Sequence, residues 1–412
     1  MAQLNITLNQ EEIQALLLED RGEAFKNILQ NCLNRFLQAE STEQLQAEPY
    51  ERSENRTDCR NGSRERELKT RIGTITLQVP RHRNIPFKTL IFENYSRSEA
   101  ALIASMAEMV VNGVSTRKVS RVMETLCGTS FSKSSVSEVC KDLDQTVQAF
   151  RARPLEDSYP FLTIDATYFK VRENNRIVSK AFMIAYATDA QGHREILGFN
   201  VYPKESKETW TDFLTELKTR GLKGLLMITS DAHEGIQQAI SKVFPTVPWQ
   251  RCQFHFSRNI TDSVPKKYQR GLRTELTEMF NSKNIEEARR IRDRIIDDYR
   301  DIAETAMTCL DEGFDSAMTV MCLPAGMRQY YRTSNHLERL NRELKRRSTV
   351  IGVFPNMTSL LRLMGAVLVE IHESRINNHA AFSPSTLKRF LETDGPAKLI
   401  LIAKEQQQLL AA

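Results

Sequence analysis

The chain has 412 residues, 41% hydrophobic and 26% charged, with a formal net charge of +5. This is the composition of a soluble globular protein with room for two or three full-sized cores. No run of about 18 or more apolar residues is present, so no transmembrane helix is expected, and Met1-Ala-Gln-Leu-Asn-Ile6 does not resemble a secretory signal. A cytosolic protein without a membrane partner is expected. The seven cysteines are scattered and odd in number, which fits reduced thiols rather than a disulfide framework. The net charge alone says little about nucleic acid. The clustering of the positive residues says more.

Residues from about 9 to 40 read as helix, with Leu16, Leu17, Phe25, Ile28, Leu29, Cys32, Leu33 and Phe36 recurring near a 3.6-residue spacing. Such a stripe serves either a small helical domain or a dimer-forming pair of helices. Residues 41–65 are polar and aperiodic and read as a linker or a segment ordered by a partner. Then Thr74-Ile-Thr-Leu-Gln-Val79 alternates as a half-buried strand does. Arg60, Arg64, Arg66, Lys69 and Arg71 precede it, and Arg81 and Arg83 follow. An arginine-edged β-ribbon of this kind can contact a DNA backbone, and the bland alternative is a solvated basic hairpin.

From 97 to 150 the pattern is helical. Ala100–Asn112 stops at Gly113, Ser115 caps Thr116–Leu126, Gly128 follows, and Ser135–Phe150 forms a third helix. Short helices around a Gly turn outline a helix-turn-helix, with Lys133, Ser134 and Ser135 at the start of the recognition helix. Many helical hairpins share that outline.

A domain boundary is expected at Arg151-Ala-Arg-Pro154. Beyond it, strands 161–171, 177–188 and 195–202 form a meander. A helix over 209–220, a strand over 225–229, a helix over 235–243 and a fifth strand over 247–256 follow. Three antiparallel strands followed by helix–strand–helix–strand is the element order of an RNase H-like core. Residues 257–331 read as charged, periodic helices, an all-helical insertion. The core resumes with helices over 334–347 and 357–374.

Three acids stand out. In Phe161-Leu-Thr-Ile-Asp-Ala-Thr167 the strand period puts Leu162, Ile164 and Ala166 on one face and Thr163, Asp165 and Thr167 on the other. A carboxylate in so apolar a run needs a cation, a partner or a cleft. Asp231 ends the strand Leu-Leu-Met-Ile-Thr-Ser. Glu338 shares a helix face with Asn341, Arg342 and Lys345. Alone, Glu338 reads as an ordinary ion pair with Arg342. Together the three acids are an oxygen-only ligand set, which suits Mg²⁺ or Mn²⁺, and two such ions support phosphoryl transfer. Arg342, Lys345, Arg346 and Arg347 form a basic run expected to contact DNA. Cys252 and His255 have half the spacing of a zinc site with no second pair nearby, and read as packed groups or as support for the acids. His233, beside Asp231, reads as a phosphate contact or a loop histidine. Trp210 and Trp249 read as core anchors.

Asp165-Ala-Thr-Tyr168 with Lys170-Val-Arg172, Ser230-Asp-Ala-His-Glu-Gly235, Cys252-Gln-Phe-His255, Ser334-Asn-His-Leu-Glu-Arg-Leu-Asn-Arg342 and the basic Arg60…Arg81 run follow one another in order. In these blocks the sequence resembles the Mutator-type bacterial insertion-sequence transposases, over nearly the whole chain. The resemblance implies a DDE-class, RNase H-like domain interrupted by a helical insertion, with Asp165, Asp231 and Glu338 as metal-binding catalytic acids. It implies nicking of transposon ends by water and attack of the freed 3′-OH on DNA, with a weak preference for a circular intermediate. The expected parts are a helical region (1–58), a basic β-ribbon (59–95), a helix-turn-helix-like domain (96–152), a first core part (155–256), the insertion (257–331), a second core part (332–395) and a tail (396–412). The expected partners are terminal inverted repeats, target DNA and a second copy, since two ends must be held together. The alternatives are a DNA-binding derivative with a dead site, and a metal-dependent nuclease that never joins.

Overall fold

The computed structural model describes residues 21–51, 56–70, 73–89, 100–127, 132, 136, 140–375 and 380–411. The chain divides into two compact units, Met1–Asp142 and Leu143–Ala412. No described helix is long and apolar enough to cross a membrane.

In the first unit helix α1 (Arg21–Leu45) packs on a hairpin of β1 (Arg60–Thr70) and β2 (Gly73–His82), antiparallel from Arg60↔His82 to Thr70↔Gly73. Leu37 of α1 joins Leu68, Ile75, Leu77 and Val79 in one core. Helix and ribbon, read as separate parts from the sequence, therefore share an interior. The helix also closes the open edge of β2: Thr76 N donates to Gln30 Oε1 (3.3 Å) and Gln78 N to Asn34 Oδ1 (2.8 Å). Asp58 ties off the ribbon base, accepting from the backbone N–H of Cys59, Asn84 and Ile85. Those bonds, Ile85 first, hold its carboxyl down at about 2. Helices α2 (Ala100–Val111) and α3 (Thr116–Cys127) follow, joined through Gly113 at φ +83° and packed around Met106, Val119 and Met123.

The division falls before the boundary expected at residue 152. The expected helix Ser135–Phe150 is replaced, within the described residues, by a 3₁₀ turn at Cys140–Asp142 and helix α4 (Leu143–Ala152). Helix α4 belongs to the second unit for a packing reason. Phe150 stacks on Phe199 (5.8 Å between centroids), and Asp144 takes both Nε and Nη2 of Arg362 at 2.7 Å.

The second unit is built on a five-stranded mixed sheet. β3 (Phe161–Glu173), β4 (Arg176–Thr188) and β5 (Arg194–Tyr202) are antiparallel. Helix α5 (Lys207–Thr219) leads to β6 (Met227–Ser230), and helix α6 (Glu234–Val243) leads to β7 (Trp249–Arg251). The order is β5-β4-β3-β6-β7, with β6 parallel to both β3 and β7. One face, with Leu162, Ile164, Met183, Ala185 and Ile228, packs on Trp210, Phe213 and Leu214 of α5 and on Ile236 and Ile240 of α6. Both tryptophans are buried. The expected fifth strand to Phe256 ends at Arg251. From Gln253 the chain is helix α7 (Gln253–Asp262), because Phe256 and Ile260, one turn apart, are drawn into a second, all-helical core.

That second core is formed by α7 with α8 (Lys266–Phe280), α9 (Ile285–Tyr299) and α10 (Glu304–Met318), through Leu272, Leu276, Ile295, Leu310 and Phe314. Then come α11 (Ala325–Tyr331), α12 (Asn335–Ser348), α13 (Met357–Arg375), α14 (Pro384–Leu391) and α15 (Gly395–Ala411). The expected tail is thus a 17-residue helix, with Leu399 and Ala403 buried one turn apart. From it Gln406 acts as a strand substitute on the sheet edge. Its Oε1 accepts from Trp249 N and its Nε2 donates to Trp249 O, both at 2.8 Å. Replacing Gln406→Ala leaves that N–H buried without a partner. We expect a loss of about 1–3 kcal/mol in urea unfolding of this unit, against roughly 0.5 kcal/mol or less for exposed Gln408→Ala.

Candidate active site

The site is assembled by strand register. Phe161↔Met227, Leu162↔Ile228 and Thr163↔Thr229 align β3 with β6 in parallel. Two residues further along each chain stand Asp165 and Asp231, abreast where β6 has just ended. Asp165 is 9% exposed. Its Oδ1 accepts from Ala166 N (2.9 Å) and its Oδ2 from Asn341 Nδ2 (2.8 Å). Burial and then the charge of Asp231 push its carboxyl up to about 7, against the Ala166 N–H and His255. The backbone at Asp231 is pinned by Ser230, whose Oγ donates to Asp231 O and accepts from Trp249 Nε1, both at 2.8 Å. Asp231 Oδ1 is buried without a hydrogen-bond partner.

Glu338 comes from α12. Leu337, Leu340 and Leu344 bury the opposite face of that helix, so Glu338 and Asn341, three residues apart, face the sheet together. Asn341 anchors the helix to Asp165. The neighbour of Glu338 is His255 rather than Arg342: His255 Nε2 lies 3.5 Å from Glu338 Oε1, an ion-pair contact that lacks hydrogen-bond geometry. His255 is pushed up to about 9, first by its hydrogen bond with Cys252 and then by Asp165 and Glu338, against burial. Among the described residues the three acids do not close into a group of three metal-ligating side chains. They are joined in pairs: Asp165 beside Asp231, and Glu338 reached through Asn341 and His255.

Cys252 is buried at the joint between these elements. Its N–H donates to Ser230 O (2.7 Å), one residue before Asp231. Its Sγ accepts from Ser334 N and Ser334 Oγ, both at 3.3 Å, one residue before α12 begins. Burial raises its thiol, but hydrogen bonds with His255 and Ser334 outweigh that and lower it. His233 precedes α6 with its Nδ1 buried and unpartnered. Sequence reading missed Glu205. Tyr168 Oη accepts from Glu205 N (3.4 Å), and burial followed by Asp231 raises the Glu205 carboxyl. Only its place just ahead of the capping-box serine of α5, Ser206, marked it in the sequence.

The basic candidates separate. Arg342 and Lys345 are exposed on the Glu338 face of α12. Arg346 is exposed and paired with Glu343, while Arg347 is buried and bonded to Glu343 and, at 2.6 and 3.1 Å, to Glu370 of α13. Arg347 thus holds two helices together instead of facing solvent. On the ribbon Arg64, Arg81 and Arg83 are exposed and Arg66 and Lys69 half-buried, while Arg60 turns inward to Thr42 Oγ1 (2.8 Å). Arg71, Lys133, Ser134 and Ser135 lie outside the described residues.

Because folding raises the Asp165 carboxyl, the folded chain binds more protons than the unfolded one between about pH 4 and 7. Stability therefore falls as pH rises through that window. Without divalent cations, Asp165→Asn is expected to melt above the wild type at pH 8, by at most about 4 kcal/mol. The difference should vanish below pH 4, and thermal melts across pH measure it.

The profile described as "Transposase, Mutator family" matches residues 1–378. The chain is 44% identical over 380 residues to the transposase for insertion sequence element IS256 in transposon Tn4001 of Staphylococcus aureus, covering 91% of this chain and 97% of that one. It is 39% identical over 358 residues to the ISRM5 transposase of Rhizobium meliloti (87% and 90%), and 36% identical over 397 residues to the IS1081 transposase of Mycobacterium tuberculosis (94% and 96%). A solved Drosophila P element transposase strand transfer complex aligns at TM-score 0.31 and 9% identity, over 78% of this chain and 93% of that one, too slight a likeness to carry an argument. On the profile match and these relatives, the chain belongs to the Mutator family of transposases.

Proposed function

We propose that this transposase cuts and joins DNA as a DDE enzyme, with an RNase H-like sheet carrying Asp165, Asp231 and Glu338 as the acids that hold two Mg²⁺ or Mn²⁺ ions. The observation that carries the reading is the pairing of Asp165 with Asp231 in a buried setting. Burial raises the Asp165 carboxyl first, and the repulsion of Asp231 abreast of it adds to that. The donor set fits a hard cation: every ligand atom is oxygen, and Asp231 Oδ1 and Glu338 Oε1 are buried without hydrogen-bond partners. Bound divalent ions would supply activation of the attacking oxygen and stabilisation of the leaving 3′ oxygen.

The chain's own residues do the rest. Asn341 fixes one Asp165 oxygen and the Ala166 N–H the other, so the carboxylate is held in place beside Asp231. His255, carrying a proton at neutral pH, balances the negative charge of Glu338 and keeps it near the aspartates. Cys252 and Ser334 hold the start of α12 against the end of β6, so the third acid keeps its distance from the first two. In this reading the basic ribbon and the helices of the first unit recognise the terminal inverted repeats. Arg342 and Lys345 lie along DNA beside the scissile phosphate, and two copies act together on paired ends.

The test is nicking and joining on end-containing DNA with Mg²⁺. Asp165→Asn, Asp231→Asn and Glu338→Gln are each expected to lower nicking by at least about 100-fold while DNA binding persists. A pre-nicked 3′-OH substrate should yield joined products with the wild type alone. Wild-type rates from the Asp165→Asn chain would defeat the reading, and hydrolysis without any joined product would reduce it to a nuclease.

A further inference from the structure

We propose that the protruding hairpin of β3 and β4 is a DNA-docking arm of the catalytic unit, whose bare face of Tyr168, Lys170, Arg172 and Ile177, on the opposite side of β3 from Asp165, takes the backbone of duplex DNA. The inference rests on the transposase reading only for DNA as the polyanion, and not on the metal chemistry.

β3 and β4 pair along their whole length, to Glu173↔Arg176, around a tight Asn174-Asn175 turn with both residues at positive φ (47° and 60°). Their neighbours are shorter. β6 pairs only with Phe161–Thr163 of β3, and β5 reaches β4 only from Ala181 onward. Residues 167–180 therefore stand out from the sheet as two strands. A hairpin alone is marginal in water, and one side of this one is supported: Phe354 N donates to Lys170 O (2.9 Å) and Arg172 N to Phe354 O (2.8 Å), while Phe169 and Val171 are buried on the same side.

The opposite face has no such cover. Tyr168 is 47% and Ile177 58% exposed, and Lys170, Arg172 and Ser179 are exposed with them. The register sets Arg172 opposite Ile177 and Lys170 opposite Ser179, so these side chains form one surface. Among the described residues neither Lys170 nor Arg172 has an ion pair. The arm's own acid, Glu173, is neutralised by Lys180 at 2.7 Å. Beside the base of the arm, the turn that meets Tyr168 adds exposed Lys204 and Lys207, and its Glu205 is half-buried. Lys170 and Arg172, without an ion pair among the described residues, suit a phosphate backbone, and lysine is depleted at protein–protein interfaces. At about 3.3 Å per residue, Arg172 lies roughly 23 Å along the strand from Asp165, and, seven residues on, it stands on the opposite face of β3, the face that carries Leu162 and Ile164 further back.

The test is binding of the full chain to a fluorescein-labelled 30-base-pair duplex of random sequence, by anisotropy, from 50 to 200 mM NaCl and without divalent cations. Lys170→Ala/Arg172→Ala is expected to lower the slope of log K against log salt by about 1.8. The wild type's advantage then shrinks about 12-fold across that salt range. Ile177→Asp is expected to weaken binding at every salt concentration. Lys388→Ala/Lys404→Ala, which removes the same charge from the C-terminal helices, should leave the slope unchanged. A slope unaltered by the arm substitutions, or altered equally by the control pair, overturns the proposal. So does a changed sedimentation state with an unchanged DNA slope, which would give the face to a protein instead. Since nothing is cut in this assay, a failure of the acid assignment leaves its outcome untouched, and the reverse holds too.

Discussion

The fold of the second unit answers one electrostatic problem: two carboxylates on neighbouring parallel strands, one of them buried. Asp165 and Asp231 are placed by three residues of register between β3 and β6, and a parallel ladder allows no slip without turning each side chain to the wrong face. Helices α5 and α6 on one side fix that register by burying Ile164, Ile228 and Ile236 together. The repulsion that results is tolerated because the surroundings supply one amide, one backbone N–H and one imidazolium. An apolar substitute would pack better and do nothing.

The third acid reaches the pair by a different route. Between β7 and α12 the chain makes a helical excursion with its own core, centred on Leu276, Ile295 and Phe314. Its two ends are fastened to each other where it leaves and returns. Gln253 N bonds Arg332 O (2.9 Å), Thr229 Oγ1 bonds Tyr331 O (2.8 Å), and Cys252 receives Ser334. The excursion can therefore vary in its outer surface without moving Glu338, because the staple lies at its neck. This gives the Cys-x-x-His spacing a physical sense without a metal: Cys252 fastens the neck and His255, one turn on, meets the acid.

How much of this was legible in the sequence depended on how local each signal was. The two-residue period of β3 assigned Leu162, Ile164 and Ala166 to one face correctly, because alternation is decided within the strand itself. The end of β7 was not legible. After Pro248 no Gly or Pro divides Val247–Phe256, and only contacts with the distant Leu276 and Leu310 make its second half a helix. Arg347 looked like its neighbours Lys345 and Arg346, since a basic run on a helix carries no mark of its distant partner, Glu370. Glu205 sits in an aperiodic turn and gains meaning from a strand it does not adjoin in sequence. The C-terminal segment was read as a tail, although its apolar residues Leu399 and Ala403, one turn apart, dock it as a helix.

The amide clasp of Gln406 on the Trp249 backbone spans 157 residues of sequence. During synthesis, at about 5–20 residues per second, the last strand of the sheet waits roughly 8–30 s for its cover. Through that interval the nascent protein carries an open β edge on a half-covered sheet, and an unpaired edge is a template for joining other chains. The Trp249 N–H thus stays open to pairing with another chain on the ribosome until Gln406 has been made.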